Sequence, residues 1–431
     1  MSKKINKNCV LLLFGQTISQ LGSSMTSFAI VIWAYSSTGQ VISSSLLAVC
    51  SAIPYLIVSL LGGAVADNMN KKKIMLICDT VAALGSLGIF ICSHMNILQI
   101  WILCIVNIIN GFMNAFQGPA SQVALTLLVN EKDYAKIGGI QSALGAVIGM
   151  LNPILAATFL SIGGLQLVLG VDLITFLFAF ITLLVFIKIP DYIKKGEKVS
   201  VKELKESMKE GVSFIKQQKS ILFLLLMYSV LEFMGAISFD SMSSPLLLAR
   251  TGNNEVVVGI VSSVAAAGVL LGSLTISVAK QPVKKIPVML IGSIMCLCGI
   301  MFFGMGQCLA WWCIVVFFGC FGAPIYQTYQ TVILREKVPI SIQGRIFSLQ
   351  GMITSSLTPL GCLLGAVLAD YVFEPFMQNT GNVQKIIGRI VGTGKGAGMG
   401  LMFVVAGAIG IIMIIILGNN SYIKRLDKTN K

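Results

Sequence analysis

The sequence predicts an all-α membrane protein with twelve transmembrane helices, arranged as two six-helix halves. Three observations support this class: the composition, the number and length of the apolar stretches, and an internal repeat. Of the 431 residues, 56% are hydrophobic and 11% are charged, whereas a soluble protein carries about 25% charged residues. We therefore expect the chain to lie in a lipid bilayer, with its charges concentrated in the connections between helices.

The apolar stretches match the length of membrane-spanning helices, which need about 20 residues to cross the hydrocarbon layer. The first stretch begins near Cys9, is too long for a signal-peptide core and lacks a small-residue cleavage site, so it is interpreted as a span. The predicted spans are 9–34, 42–66, 73–93, 97–117, 137–160, 164–188, 219–247, 255–279, 285–305, 309–333, 346–372 and 398–418.

The basic residues predict the orientation. The chain has 31 Lys and Arg residues, and all but four lie at the amino terminus, in the connections that follow even-numbered spans, or in the carboxyl-terminal tail. The exceptions are Arg250, Lys385, Arg389 and Lys395. Basic residues favour the cytoplasmic side, so we expect both termini to be cytoplasmic in the cell membrane. The net charge of +14 follows from this distribution, and no nucleic-acid partner is expected.

The two halves resemble each other in sequence. An offset of 205 residues pairs Pro119 with Pro324 and Gln122 with Gln327. These positions lie just after the predicted end of span 4 and near the end of span 10, which hold the same place in each half. Parallel six-helix repeats are typical of transporters whose substrate lies between two halves. We therefore divide the chain into a first half, 1–190, a cytoplasmic linker, 191–218, with a short amphipathic surface helix predicted near 201–210, and a second half, 219–431.

The connection between spans 2 and 3 carries a charged motif. Its matching residues are Gly63, Asp67, Lys71 and Lys72. This pattern resembles the signature loop of the major facilitator superfamily, in which the aspartate locks the cytoplasmic face closed against the end of the eleventh span. The sequence departs from that loop at Asn68, where the family has a cation, and at Asn70, where it has glycine. The resemblance implies a cytoplasmic gate here; the alternative is a helix-terminal carboxylate that pairs with the lysines.

Further motifs resemble one branch of that superfamily, the drug–proton antiporters that include macrolide-efflux proteins. The matching pieces are Gly15-Gln16-x2-Ser19-x2-Gly22-Ser23, Asp172-x-Ile174-Thr175-Phe176, Gln343-Gly344-Arg345-Ile346-Phe347-Ser348, Pro359-Leu360-Gly361 and Phe373-Glu374-Pro375.

The fifth span resembles the antiporter motif Gly-Pro-x2-Gly-Gly at Asn152-Pro153-x2-Ala156-Ala157. Small residues here replace the glycines of the motif. Gly145 and Gly149 lie one turn apart just before it, and small residues at this spacing allow two helices to approach closely. We therefore predict that Gly145, Gly149 and Pro153 serve helix packing.

Polar residues form narrow stripes on two predicted spans. Span 1 carries Gln16, Gln20, Ser23 and Ser27, and span 4 carries Asn107, Asn110, Asn114 and Gln117. Polar groups that faced lipid would lack hydrogen-bond partners, so such stripes face a cavity or another helix. In the superfamily that the chain resembles, these helices line the central cavity. We also expect Tyr228, Tyr326 and Gln330 to line it, with interhelical hydrogen bonding as the alternative.

Among the carboxyl groups inside predicted spans, we single out Asp172 in span 6 and Glu232 and Asp240 in span 7. Placing a charge at such a depth costs roughly 2.5–3.5 kcal/mol, and burial disfavours the charged form. A carboxyl group of this kind is suited to carry a proton in one transport state and release it in another. Glu232 is the preferred coupling residue because it is mid-span. Asp240 lies nearer the outer end, and for Asp172 a structural hydrogen bond is the alternative.

Other chemistries are not supported by the sequence. The run Gly392–Gly398 lacks the P-loop pattern, because Arg389 stands where glycine is needed and Gly396 follows Lys395. We therefore expect no ATP. The chain has one histidine, and its cysteines lack metal-ligand spacing, so no metal site is predicted. We expect a monomer in the lipid bilayer that is not an enzyme and needs no cofactor beyond a proton gradient.

The predicted function is proton-coupled efflux of hydrophobic or cationic small molecules, such as antibiotics, by alternating access. One alternative within transport is export of an endogenous metabolite, a siderophore or a lysolipid. An alternative of another class is a membrane sensor that does not transport.

Overall fold

A computed structural model of the chain describes residues 7–129, 134–189, 213–279, 282–379 and 381–427. These residues are almost entirely helical and contain no strand. Ten stretches among them are long and apolar enough to cross a bilayer. The predicted class, an all-α membrane protein, is therefore confirmed. Most of the predicted linker, including the surface helix expected near 201–210, lies outside the described residues.

The chain forms two compact units. The N-terminal unit comprises Met1–Gly39 and Ser43–Glu197, and the C-terminal unit comprises Gln40–Ile42 and Lys198–Lys431, each in its described part. The finer division into 1–190, 191–218 and 219–431 remains a prediction, because residues 190–212 are not described.

Helices α1 to α5 belong to the first part of the chain. Their bounds are Lys7–Thr38 (α1), Val41–Asn68 (α2), Lys71–His94 (α3), Ile100–Leu128 (α4) and Tyr134–Ile181 (α5). Helix α5 changes direction at Gly163 and Gly164, where Gly164 has a φ of +61° that favours glycine. It continues beyond Ile181 as a π-helical turn, Thr182–Phe186. The two parts of α5 coincide with the predicted fifth and sixth spans.

Helix α1 packs along α5, and α3 contacts both α4 and α5. One end of the N-terminal unit is filled by an apolar cluster where the starts of α1 and α3 meet the end of α4. Its fully buried members include Cys9, Leu12, Met75, Ala120 and Ala124. The polar residues of α1 and α4 begin directly beyond this cluster. The cluster therefore closes one end of the unit and leaves its middle for polar groups.

The C-terminal unit continues the chain with α6 to α15. Their bounds are Lys219–Gly235 (α6), Ser241–Thr251 (α7), Glu255–Val278 (α8), Lys285–Phe303 (α9), Leu309–Lys337 (α10), Ile340–Leu368 (α11), Glu374–Gln378 (α12), Asn382–Val391 (α13), Ala397–Gly418 (α14) and Ser421–Lys424 (α15). Two π-helical turns, Ala236–Asp240 and Ala369–Phe373, precede α7 and α12. Helix α10 packs against α8 and α9, and α6 packs against α11 and α14.

Two glycines allow α11 to approach the π turn Ala236–Asp240. A Cβ atom at Gly365 would overlap the carbonyl oxygen of Ile237, and one at Gly361 would lie 2.7 Å from the Cβ of Ala236. By contrast, no described atom lies within 4 Å of a Cβ built at Gly145 or Gly149. Close packing at those two glycines therefore remains a prediction, whereas Gly361 and Gly365 supply a close contact that the sequence analysis did not anticipate.

The glycine-rich segment between α13 and α14 surrounds an arginine. The Arg250 guanidinium donates hydrogen bonds to the carbonyl oxygens of Gly306, of Val391 at 2.6 Å and of Gly396 at 3.3 Å. Gly392, Gly394 and Gly396 have positive φ angles, a conformation that L-residues with a Cβ rarely adopt. The glycines therefore let the backbone turn tightly and direct carbonyl oxygens towards a half-buried cation.

We predict that Gly365→Ala destabilises the protein, because the added methyl group meets a backbone oxygen that cannot rotate away. Such overpacking costs about 1–3 kcal/mol. Thermal unfolding of the purified protein in detergent should show a lower midpoint. Gly88→Ala is the matched control, since no described atom lies within 4 Å of its Cβ position, and we expect it to be neutral or slightly stabilising. Equal midpoints for the two variants would contradict the close contact.

Candidate functional site

A cavity of about 550 Å³ lies within the N-terminal unit, among α1, α3, α4 and α5. Both predicted polar stripes line it: Gln16, Gln20, Ser23, Ser27, Asn107, Asn110, Asn114 and Gln117. Gly145 of α5 also lines it, and the buried Pro153 lies two turns further along the same helix. The stripes of two separate helices thus face one shared space. The cavity is large enough for a drug-sized ligand.

One wall of this cavity carries an acid that the sequence analysis passed over, Asp79. The residue is 7% exposed, and it lies in the first half of α3. The Gln16 amide donates to Oδ2 at 3.4 Å, and the Gln117 amide donates to Oδ1. In the sequence, the sign of this site is a single carboxyl group inside an apolar run, eight residues beyond Lys71. Its hydrogen-bond partners come from two other helices, α1 and α4.

Asp172 connects three helices of the same unit. Its side chain is 4% exposed. The Ser23 hydroxyl donates to Oδ1 at 3.1 Å, and the Ser86 hydroxyl donates to Oδ2 at 2.8 Å. A Cβ at Gly22 would overlap the Thr175 hydroxyl and lie 3.1 Å from the Asp172 Cα. Two sequence motifs that are far apart in the chain therefore contact each other here.

In the C-terminal unit, Glu232 of α6 forms a cluster with α10. The Tyr326 hydroxyl donates to Glu232 Oε1 at 2.6 Å, and the Gln327 amide donates to the Tyr326 oxygen at 3.3 Å. The Tyr228 ring lies 6.2 Å from the Tyr326 ring, centroid to centroid. The structure thus brings together Glu232 and the two tyrosines that were predicted to line the transport cavity.

The other two predicted residues of this unit lie nearby. Asp240 ends the π turn that follows α6; its side chain is exposed and close enough to Glu232 for their charges to interact. Gln330 is 2% exposed, and its amide nitrogen has no hydrogen-bond partner among the described residues. Gln330 is therefore almost fully enclosed by its neighbours, and its place beside the transport cavity stays a prediction.

The charged loop before α3 has local structural roles. The Lys72 ammonium donates to the carbonyl oxygens of Leu184 at 3.0 Å and Ile187 at 2.8 Å. Lys71 is 3% exposed. Asn70 Oδ1 accepts from the Lys73 N–H at 3.0 Å and so caps α3. Asparagine thus serves as a helix cap where the signature loop has glycine. The surroundings of Gly63 and of the Asp67 side chain lie outside the description, and the gate role stays a prediction.

These features define a class of protein. Long apolar helices in two units, with acids and amides buried inside them, are typical of a multi-pass membrane transporter. The chain also matches the family model of the Major Facilitator Superfamily over residues 12–362. It belongs to that superfamily, whose members are transporters of small molecules and not enzymes.

Relatives from two species carry the name macrolide efflux protein A. The protein from Streptococcus pyogenes is 26% identical over 361 residues, which cover 83% of this chain and 88% of the relative. The protein from Enterococcus faecalis is 27% identical over 327 residues, which cover 75% and 99%. Among solved structures, the D323A mutant of the nucleoside transporter NupG has a TM-score of 0.71 at 15% identity, covering 95% of this chain and 100% of NupG. That likeness shows the fold alone.

We predict that Ser86→Ala destabilises the N-terminal unit, because it removes a donor from the buried Asp172 carboxyl group. An unsatisfied buried acceptor costs about 1–3 kcal/mol. Denaturation of the purified protein with increasing SDS should show the loss. In the control variant Ser27→Ala, the missing hydroxyl belongs to an exposed residue and donates to the Ser23 carbonyl oxygen of its own helix. We expect that variant to stay within about 0.5 kcal/mol of the parent.

Proposed function

We propose that this protein is a proton-coupled exporter (an antiporter) of hydrophobic or cationic small molecules such as antibiotics. The observation that carries the proposal is the hydrogen bond between Tyr326 and Glu232, a carboxyl group within a membrane-spanning helix. The relatives named as macrolide efflux proteins support export of this kind of substrate. We propose alternating access as the mechanism, with both termini cytoplasmic and one chain as the working unit.

The chemistry of the Glu232 cluster suits a group that gains and loses a proton. A deprotonated carboxylate accepts the hydrogen bond from the Tyr326 hydroxyl. When the carboxyl group is protonated it becomes a donor, and the same tyrosine oxygen is able to accept from it, because a hydroxyl is both donor and acceptor. The cluster therefore offers a hydrogen-bond partner in both protonation states. A lysine or arginine partner would instead favour one state.

We assign the remaining carboxyl groups by their surroundings. Asp240 is exposed and near Glu232, so we propose that it exchanges protons with the space around the cluster. Asp172 accepts two hydroxyl donors and joins three helices, so it serves the N-terminal unit chiefly as a structural residue and secondarily as a proton site. Gln16, Gln20, Ser23, Asn110 and Asn114 line the N-terminal part of the substrate path.

We predict that Glu232→Gln abolishes exchange of protons for substrate while leaving the protein inserted and folded. Glutamine keeps an acceptor for Tyr326 but cannot bind and release a proton. In everted vesicles that carry a proton gradient, the parent protein should dissipate the gradient when substrate is added, and the variant should not. A dye that reports the internal pH gives the readout.

A control variant and a panel of substrates complete this experiment. Glu336→Gln removes a carboxyl group of the same charge that pairs with Lys285 at an exposed position, and it should leave exchange unchanged. Undiminished antiport in Glu232→Gln would move the coupling role to Asp240 or Asp172.

A panel that includes antibiotics, siderophores and lysolipids separates drug export from export of an endogenous compound. If no compound moves, a sensor role replaces transport.

We also predict that Asp67→Asn impairs transport at normal membrane insertion, because the signature loop that this stretch resembles uses its aspartate to lock the cytoplasmic face. Initial uptake rates in everted vesicles measure the effect, and surface labelling in whole cells measures insertion. An aspartate that only pairs with the neighbouring lysines would give a variant with nearly the parent rate.

A further inference from the structure

Asp79 is a buried carboxyl group whose role is not accounted for by the proton site at Glu232. It has no ion-pair partner within 4 Å in the described part of the chain, where the ion pair is Lys285–Glu336. Both of its oxygens face amide donors, Gln16 and Gln117, from two different helices. The two amides hold the carboxylate in position, but they are neutral and do not balance its negative charge.

The surroundings of Asp79 are negative. None of the residues that line the 550 Å³ cavity in the described structure is Lys, Arg or His, while both Asp79 and Asp172 line it. The same two acids also line a smaller cavity of about 30 Å³, together with Ser86, which is room for one water molecule. When they are ionised, two acids without a balancing base create a negative potential that attracts cations.

The shape and lining of the cavity indicate what kind of cation it takes. Metal ions such as Ca²⁺ need six to eight oxygen ligands, and the described residues contain no group of three His, Cys, Asp or Glu side chains that could hold one. The cavity instead combines a single acid wall with amides and with apolar side chains, including Leu12, Ile89 and Val106. This combination fits an organic molecule that has a positive charge and apolar bulk.

We propose that the N-terminal cavity binds the cationic group of an organic substrate at the Asp79 carboxylate, with Gln16 and Gln117 holding that carboxylate in place. This inference deepens the proposed export function and rests on it for its physiological meaning. The two units then have different roles: Asp79 of the N-terminal unit binds the charged group of the substrate, and Glu232 of the C-terminal unit carries the proton. Binding also draws on three helices, because α1, α3 and α4 each contribute one member of the cluster.

The test measures equilibrium binding to the purified full-length protein in detergent, without a proton gradient. The probes are tetraphenylphosphonium, a permanent cation, and triphenylphosphine oxide, an uncharged molecule of related shape. We expect tighter binding of the cation by the parent protein. Asp79→Asn should weaken cation binding on the order of tenfold and leave the uncharged probe unchanged, because asparagine still accepts a hydrogen bond from an amide but carries no charge. Asp79→Glu should keep most of the preference.

Glu255→Gln is the matched control, since it removes the same charge from the first turn of α8 in the other unit. It should bind both probes as the parent does. A parent protein that does not distinguish the probes, or an Asp79→Asn variant with unchanged cation affinity, would overturn the proposal. An equal loss of affinity for both probes in Asp79→Asn, at an unchanged unfolding temperature, would also overturn the proposal. A purely structural role of Asp79 predicts that result, because it does not distinguish a charged probe from an uncharged one.

A second measurement uses the unmodified protein and does not depend on the folding of a variant. A hydrophobic carbodiimide labels accessible carboxyl groups, and mass spectrometry of the peptides reports labelling at Asp79. Tetraphenylphosphonium should protect Asp79, and triphenylphosphine oxide should not; absence of protection contradicts the proposal. If the protein binds the cation but does not exchange protons in vesicles, the proposed coupling at Glu232 is refuted and the proposed cation site at Asp79 is not. The two proposals therefore fail separately.

Discussion

A carboxyl group within a membrane-spanning helix is tolerated only where other polar groups surround it, and this constraint organises the interior of the protein. Lipid tails cannot supply hydrogen bonds inside the hydrocarbon layer, so these acids take their partners from other helices. Asp172 accepts two serine hydroxyls, Asp79 faces two glutamine amides, and Glu232 accepts a tyrosine hydroxyl. In every case at least one donor comes from a different helix than the acid. The polar groups therefore fix which helices are neighbours.

Different donors give the three acids different chemistry. Hydroxyl groups accept as well as donate, so they remain partners whether the carboxyl group is protonated or not. The amide nitrogens that face Asp79 only donate, which suits a carboxylate whose charge attracts an external cation. In the proposed mechanism, Asp79 and Glu232 lie in different units, each with its own set of partners, so that substrate and proton bind to different groups.

Close backbone contacts complement the polar ones. Gly22 lets α1 reach Asp172 and Thr175, and Gly361 and Gly365 let α11 reach the π turn that carries Asp240. Since apolar side chains gain little from leaving lipid for another apolar surface, packing of this kind and interhelical hydrogen bonds hold membrane helices together. The motifs that resemble drug–proton antiporters at Gly22, Asp172 and Gly361 thus coincide with contacts between helices.

The sequence by itself determined the membrane class, the positions of the helical stretches and the superfamily, because apolar length, charge distribution and the loop motif are local properties. It also placed polar stripes on spans 1 and 4, since helical periodicity assigns residues to one face. Only the tertiary structure decided which acid meets which donor. The site at Asp79 could not be predicted because its partners, Gln16 and Gln117, lie 63 and 38 residues away in the chain. The close contact at Gly365 could not be predicted either, because it depends on a carbonyl oxygen of a π turn, and a π turn leaves no clear sequence signal.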